Sequence, residues 1–158
     1  MADILFQWSD EYSVGVEEID EQHKALVDLL NNLHQAIHER HGTEVSRQIL
    51  DDLAEYTRVH FAVEESLMRI SSYPDFDNHK KIHTALIQQV IELQAKLDSG
   101  TAKISFELLH FLKQWLMHHI VESDKLFGKH FAQVGLATAW SPQIKTAMSQ
   151  PKAWWRIW

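Results

Sequence analysis

Between Asp20 and His130 the chain runs through long stretches with an apolar residue every three or four positions, and almost nothing in them ends a helix. Only five glycines and three prolines occur in 158 residues. A chain so poor in breakers reads as a few long helices. The first is expected from about Asp20, as N-cap, to about Arg40, with Gly42 as its stop. The second is expected from about Thr43 to Ile70, ending before the turn-rich SSYPDFD. The third is expected from about Asp77 to Asp98, closed by Ser99-Gly100, and the fourth from about Ile104 to His130. Connections this short favour antiparallel neighbours. The expected fold is therefore all-α, an up-down-up-down antiparallel four-helix bundle over residues 1–131 with a C-terminal extension over 132–158. In that extension Ser141-Pro142 is a good N-cap and N1 pair for a short helix over 142–150, followed by the Trp-rich PKAWWRIW.

Composition narrows the function classes. The net charge is −7, which argues against a nucleic-acid binder with a broad basic face. No stretch approaches the roughly 18 apolar residues of a membrane span, so no integral membrane segment is expected. The start, MADILFQWSDEYS, has neither a basic n-region nor an apolar h-region, which points to a cytoplasmic location. There is no cysteine. Disulfides, thiolate zinc sites, iron–sulfur clusters and cysteine nucleophiles are excluded together. The unusual count is 11 histidines.

At about 100° per residue, His60 and Glu64 fall within the apolar stripe of Ile49, Leu53, Tyr56, Val63 and Leu67 in the second helix. Glu65 points about 140° from His60 and is expected to be solvated. In the third helix His79 and His83 line up with Leu86, Val90, Leu93 and Leu97. His23 shares a face with Val27, Leu30 and Ile37, and His119 with Leu108, Leu112, Trp115 and Leu116. A lone histidine on an apolar face is ordinarily a satisfied core residue, and a His60–Glu64 contact within one helix has an ordinary explanation. The common level of these residues argues otherwise. His23 and His79/His83 open their helices while His60/Glu64 and His119 lie late in theirs, which in an antiparallel bundle is the same end. Five imidazoles and a carboxylate buried there without partners would cost several kcal/mol. A metal is the economical partner. The donors outnumber those of a four-coordinate zinc site, which favours a two-metal centre, and imidazole with carboxylate suits iron, manganese or zinc.

The motifs DEQHK (20–24), HFAVEE (60–65), HKKIH (79–83) and WLMHHIVESDK (115–125) resemble those of hemerythrins, specifically bacteriohemerythrins. VGVEEID and the early W-S-D are similar too, and the likeness covers roughly residues 5–131. It implies two iron ions with a bridging oxo or hydroxo group. One iron would be held by His79, His83 and His119, the other by His23 and His60, with Glu64 and Asp124 bridging. The two-histidine iron would keep an open position where O2 binds end-on and leaves as O2. In the fourth helix His118–Glu122 has the tidier i,i+4 spacing, but the apolar stripe selects His119 and the resemblance adds Asp124. Their i,i+5 spacing then implies a locally widened helix near Glu122, of the π-bulge kind.

The implied function is reversible O2 binding for storage, delivery or transport, and not enzymatic catalysis. Other readings are O2 or redox sensing, a ferritin-like diiron oxidase, and a zinc hydrolase. The oxidase would need two Glu-x-x-His motifs, of which only Glu107–His110 occurs, with His110 on the face opposite His119. The hydrolase would need the glutamate of H-E-x-x-H, which HKKIH lacks. One or both of Ile120 and Val121 are expected to help line an apolar O2 pocket beside the open iron. His34 and His38 form another i,i+4 pair, about 16 Å along the helix from His23 and too far to join its site. His41, His110, His118 and His130 read as surface or boundary residues. Trp154, Trp155 and Trp158 suit three roles: folding back on the bundle, docking to another protein including a second copy, or resting at an anionic membrane surface.

Overall fold

The computed structural model describes residues 4–40 and 42–134. His41, the helix expected over 142–150 and the tryptophans of the tail lie outside the described residues. Among those described, the elements are a 3₁₀ turn at Asp10–Tyr12, then α1 (Glu17–His38), α2 (Thr43–Ile70), α3 (Phe76–Asp98) and α4 (Phe106–His118). A π-helical turn at His119–Asp124 follows, and α5 (Lys125–Gln133) continues the same rod. Helix α1 packs on α2 and α4, and α2 on α3. The architecture is an all-α four-helix bundle.

Two helix starts differ from expectation for local reasons. Helix α1 begins at Glu17 after Val16, so Asp20 is not its N-cap but part of its acidic first turn with Glu17 and Glu18, where carboxylates suit the helix dipole. The Asp20 side chain turns back to accept hydrogen bonds from Ser13 Oγ (2.6 Å) and the Val14 N–H (2.8 Å). It anchors the incoming arm rather than capping the helix. Further back, the Phe6 N–H donates to Asn31 Oδ1 (2.9 Å) and Asn31 Nδ2 donates to the Phe6 carbonyl (2.8 Å). Helix α4 starts at Phe106, after Ser105, whose hydroxyl caps it by accepting from the Leu108 N–H at 3.2 Å.

The core has two parts. One gathers Leu26, Leu30, Leu33, Leu50, Leu53, Tyr56 and Leu109 with Phe6 of the arm. The other gathers Val14, Val16, Ile19, Leu67, Met68, Ile120, Phe127 and Phe131. Along α1, α2 and the α4–α5 rod the cluster residues fall between these two sets: His23 between Ile19 and Leu26, His60 and Glu64 between Tyr56 and Leu67, His119 and Asp124 between Leu109 and Phe127. A polar layer is therefore sandwiched between two apolar ones. The second apolar set closes against the arm at Gly128, where any Cβ would overlap the Val14 carbonyl.

Candidate metal centre

Five histidines and two carboxylates fill the polar layer. His23, His60, Glu64, His79, His83, His119 and Asp124 are all buried. Each imidazole turns Nε2 inward. His79 Nε2 lies 2.9 Å from Glu64 Oε1 and 3.0 Å from Asp124 Oδ1. His60 Nε2 lies 3.3 Å from Glu64 Oε2, and His83 Nε2 lies 3.4 Å from Glu64 Oε1. His23 Nε2 lies 3.0 Å from Asp124 Oδ2, and His119 Nε2 lies 3.1 Å from Asp124 Oδ1. The atoms gather into two groups, each within 4.8 Å: Glu64, His79, His83, His119 and Asp124 in one, His23, His60, Glu64 and Asp124 in the other. Both carboxylates belong to both groups.

Asp124 reaches the cluster because the rod turns π-helical at His119–Asp124. An i,i+5 pair that an α-helix would splay by about 140° then lies on one face. His118 and Glu122 stay outside at 62% and 72% exposure, 3.6 Å from each other.

Residues 14–130 match the profile of the family described as Hemerythrin HHE cation binding domain. This chain belongs to the hemerythrin family. It is 35% identical over 124 residues to a bacteriohemerythrin of Stenotrophomonas maltophilia, covering 78% of this chain and 80% of the relative. It is 31% identical over 125 residues to a myohemerythrin of Theromyzon tessulatum, covering 78% and 92%. A crystal structure of wild-type hemerythrin matches the fold with a TM-score of 0.77 at 32% identity, over 81% of this chain and 98% of that one.

Hemerythrins bind O2 at a diiron centre with an oxo bridge, and this donor set fits such a group. The contacts between imidazoles and carboxylates are close but mostly not aimed as hydrogen bonds. His23 Nε2, His60 Nε2, His79 Nε2 and all four oxygens of Glu64 and Asp124 lack a hydrogen-bond partner while fully buried. Polar atoms are buried in this way where something else satisfies them. Imidazole and carboxylate without thiolate are donors that iron accepts.

Electrostatics in the metal-free cluster follow from its packing. Burial and the neighbouring Asp124 would raise the Glu64 carboxyl, but His60, His79 and His83 outweigh them and hold it well below the usual range. Burial would raise Asp124 as well, and His119, His23 and His79 hold it low. Burial pulls His79 down, yet Asp124 and Glu64 prevail and lift it to about 9. His83 is lowered, chiefly by burial.

Ile120 is fully buried in the Val16–Phe131 apolar set, and Val121 is 41% exposed. Neither borders the cavity beside the cluster. That cavity, about 50 Å³, is lined by His23, His60, His119 and Asp124 together with Leu26, Leu86, Trp115, Leu116 and other apolar side chains toward the middle of the bundle. A histidine's immediate followers rotate away from its face, so the wall comes from residues three and four positions earlier, Leu116 and Trp115. Trp115 also stacks on His119, with ring centroids 4.6 Å apart.

Two further residues touch the imidazoles from behind. Gln22 Oε1 lies 2.6 Å from His60 Nδ1 in the buried interior. Glu65 Oε1 lies 3.1 Å from His83 Nδ1, so Glu65 is not the free solvated residue expected. A side chain off the core stripe faces the seam between α2 and α3, and His83 occupies that seam. The only sequence signal for either was adjacency to a ligand-type residue.

Among the other histidines, His130 lies with Nε2 2.8 Å from the Ser71 carbonyl, and His34 is buried and stacks on His38 with centroids 6.4 Å apart.

Proposed function

We propose that this chain binds O2 reversibly, for its storage, delivery or transport, with one iron on His79, His83 and His119, the other on His23 and His60, and Glu64 and Asp124 bridging. A ferrous pair supplies, when bound, the electrons that O2 capture borrows and O2 release returns. The observation that carries the reading is an inequality between the halves. Three histidines serve one group and two the other, and the apolar cavity borders both histidines of the smaller group, His23 and His60, but only His119 of the larger. The side short of a donor is thus the side with both of its histidines on the free space.

The cavity wall also favours release over cleavage. Apart from the cluster's own members, the lining side chains that carry a polar atom are Trp115, through its indole N–H, and Thr57, whose hydroxyl donates to the Leu53 carbonyl at 2.7 Å. Outside the cluster itself, no carboxylic acid or amine among the described lining residues stands ready to protonate a bound ligand, and apolar walls exclude water. This supports a carrier rather than an oxidase. No helix of the described residues is long and apolar enough to cross a membrane, and a cytoplasmic location suits a centre that must be kept reduced.

Anaerobic reduction followed by air tests the reading. The iron-loaded protein should hold a pair of irons per chain and develop a visible absorption with O2 that disappears under argon and returns on re-aeration. A chain that loads only zinc, or that consumes O2 without ever releasing it, overturns it.

A further inference from the structure

We propose that Glu65 and Gln22 are positioning residues for His83 and His60, and that the charge on one and its absence on the other make the two halves of the diiron centre unequal electron donors. The proposal rests on the iron assignment above but not on O2 release. It begins from the ring orientation. An imidazole that offers Nε2 to a metal carries its proton on Nδ1, and that N–H needs an acceptor that fixes the ring and tunes its donor strength. His60 finds a neutral amide oxygen, Gln22 Oε1, at 2.6 Å. His83 finds a carboxylate, Glu65 Oε1, at 3.1 Å.

The same local device builds both contacts. Gln22 immediately precedes His23 on α1, and Glu65 immediately follows Glu64 on α2. In each pair one side chain enters the cluster, and the other, turned about 100°, reaches the outer nitrogen of a histidine on the next helix. Thus α1 backs His60 of α2, and α2 backs His83 of α3. Phe61 completes the clamp on His83, lying parallel to its ring with centroids 3.7 Å and planes 4° apart. His83 is fixed at its edge by Glu65 and across its face by Phe61.

The backing groups differ in environment as well as charge. Gln22 is buried, whereas Glu65 keeps 17% side-chain exposure at a surface cleft that also bears Arg58 and Lys80. A carboxylate acceptor draws the Nδ1 proton more strongly than an amide and pushes electron density toward Nε2. The iron on His79, His83 and His119 is therefore the half better able to hold ferric charge. In the His23–His60 half, His60 is backed by a dipole and His23 Nδ1 has no hydrogen-bond partner.

The experiment compares Glu65→Gln, Glu65→Ala and Gln22→Glu with the parent, reading Fe(II) affinity and the midpoint potential of the iron-loaded protein under argon. Glu65→Gln keeps an acceptor but removes the charge, so iron content should hold while the midpoint rises. Glu65→Ala removes both, and Fe(II) should bind about 10–100-fold more weakly. Gln22→Glu should lower the midpoint, and it tests the charge argument even if a Glu65 variant folds poorly. A midpoint unmoved in both Glu65→Gln and Gln22→Glu overturns the inequality. Parent-like Fe(II) affinity in Glu65→Ala overturns the positioning role. Neither readout involves O2, so a parent that fails to release O2 sinks the carrier reading while leaving this one standing or falling on its own.

Discussion

His119 and Asp124 are five residues apart, yet His119 Nε2 and Asp124 Oδ1 lie 3.1 Å from each other. The π-helical turn between them absorbs one residue more than an α-helical turn would. Deleting Val121, which is 41% exposed, should therefore leave an ordinary helix with the two residues at i,i+4, still on one face. Iron content of that variant should stay near the parent's. Deleting exposed Gln114 instead rotates one side of α4 by about 100° against the other and should abolish iron binding. Metal analysis of the two deletions decides the matter, and equal loss in both would contradict this account of the turn.

In the metal-free protein, stability should fall between pH 6.5 and about 9. His79 is raised from 6.5 to about 9 in the folded state. A raised group contributes stability in full below its unfolded value and loses it as pH climbs through the folded one. His83, lowered by burial, acts in the opposite sense and only below 6.5. Glu64 and Asp124, both depressed, lose their contribution only at acid pH. The alkaline window thus isolates His79. Metal occupies the nitrogen that the proton would take, so melts of iron-loaded protein should be flatter there and the gap between the two forms should widen with pH. A metal-free melting temperature that is level across this window would count against the ion pairs of His79.

Leu86 is buried and walls the cavity from α3. Leu86→Ala should cost about 2–5 kcal/mol and admit water beside the His23–His60 half. Autoxidation of the oxygenated protein should quicken, by the decay of its visible absorption, while Val121→Glu on the solvent side should match the parent. If Leu86→Ala decays at the parental rate, that wall does not keep water out.

Periodicity made most of this legible. Sparse breakers and one-sided apolar stripes were enough for the four-helix bundle, and the same phase turned His23, His60, Glu64, His79, His83 and His119 toward one level, where the structure gathers them. Phase on a single helix cannot say what stands opposite, however. Glu65 looked solvated because its angle was measured from the core axis of α2, whereas the seam toward α3 decides its surroundings. Gln22 was invisible for the same reason. Asp20 resembled an N-cap because its carboxylate does serve backbone N–H, but of the arm rather than of the helix. Ile120 and Val121 follow His119 in sequence but are not among the residues lining the cavity beside the cluster, since a helix turns a residue's immediate followers off its face.

The polar layer between two apolar cores also bears on cooperativity. Metal-bound, the layer ties all four helices at one level and couples what lies on either side of it. Stripped of metal, it becomes a slab of mutually charged groups whose cohesion depends on the proton inventory. The Val16–Phe131 end, made of the arm, α5 and the ends of α2 and α3, then forms a smaller opening unit than the Leu-rich body. Iron in this fold is therefore a coupler of folding units as well as a seat for a ligand. Hydrogen exchange on the two forms should show one global opening with metal and two staggered openings without it.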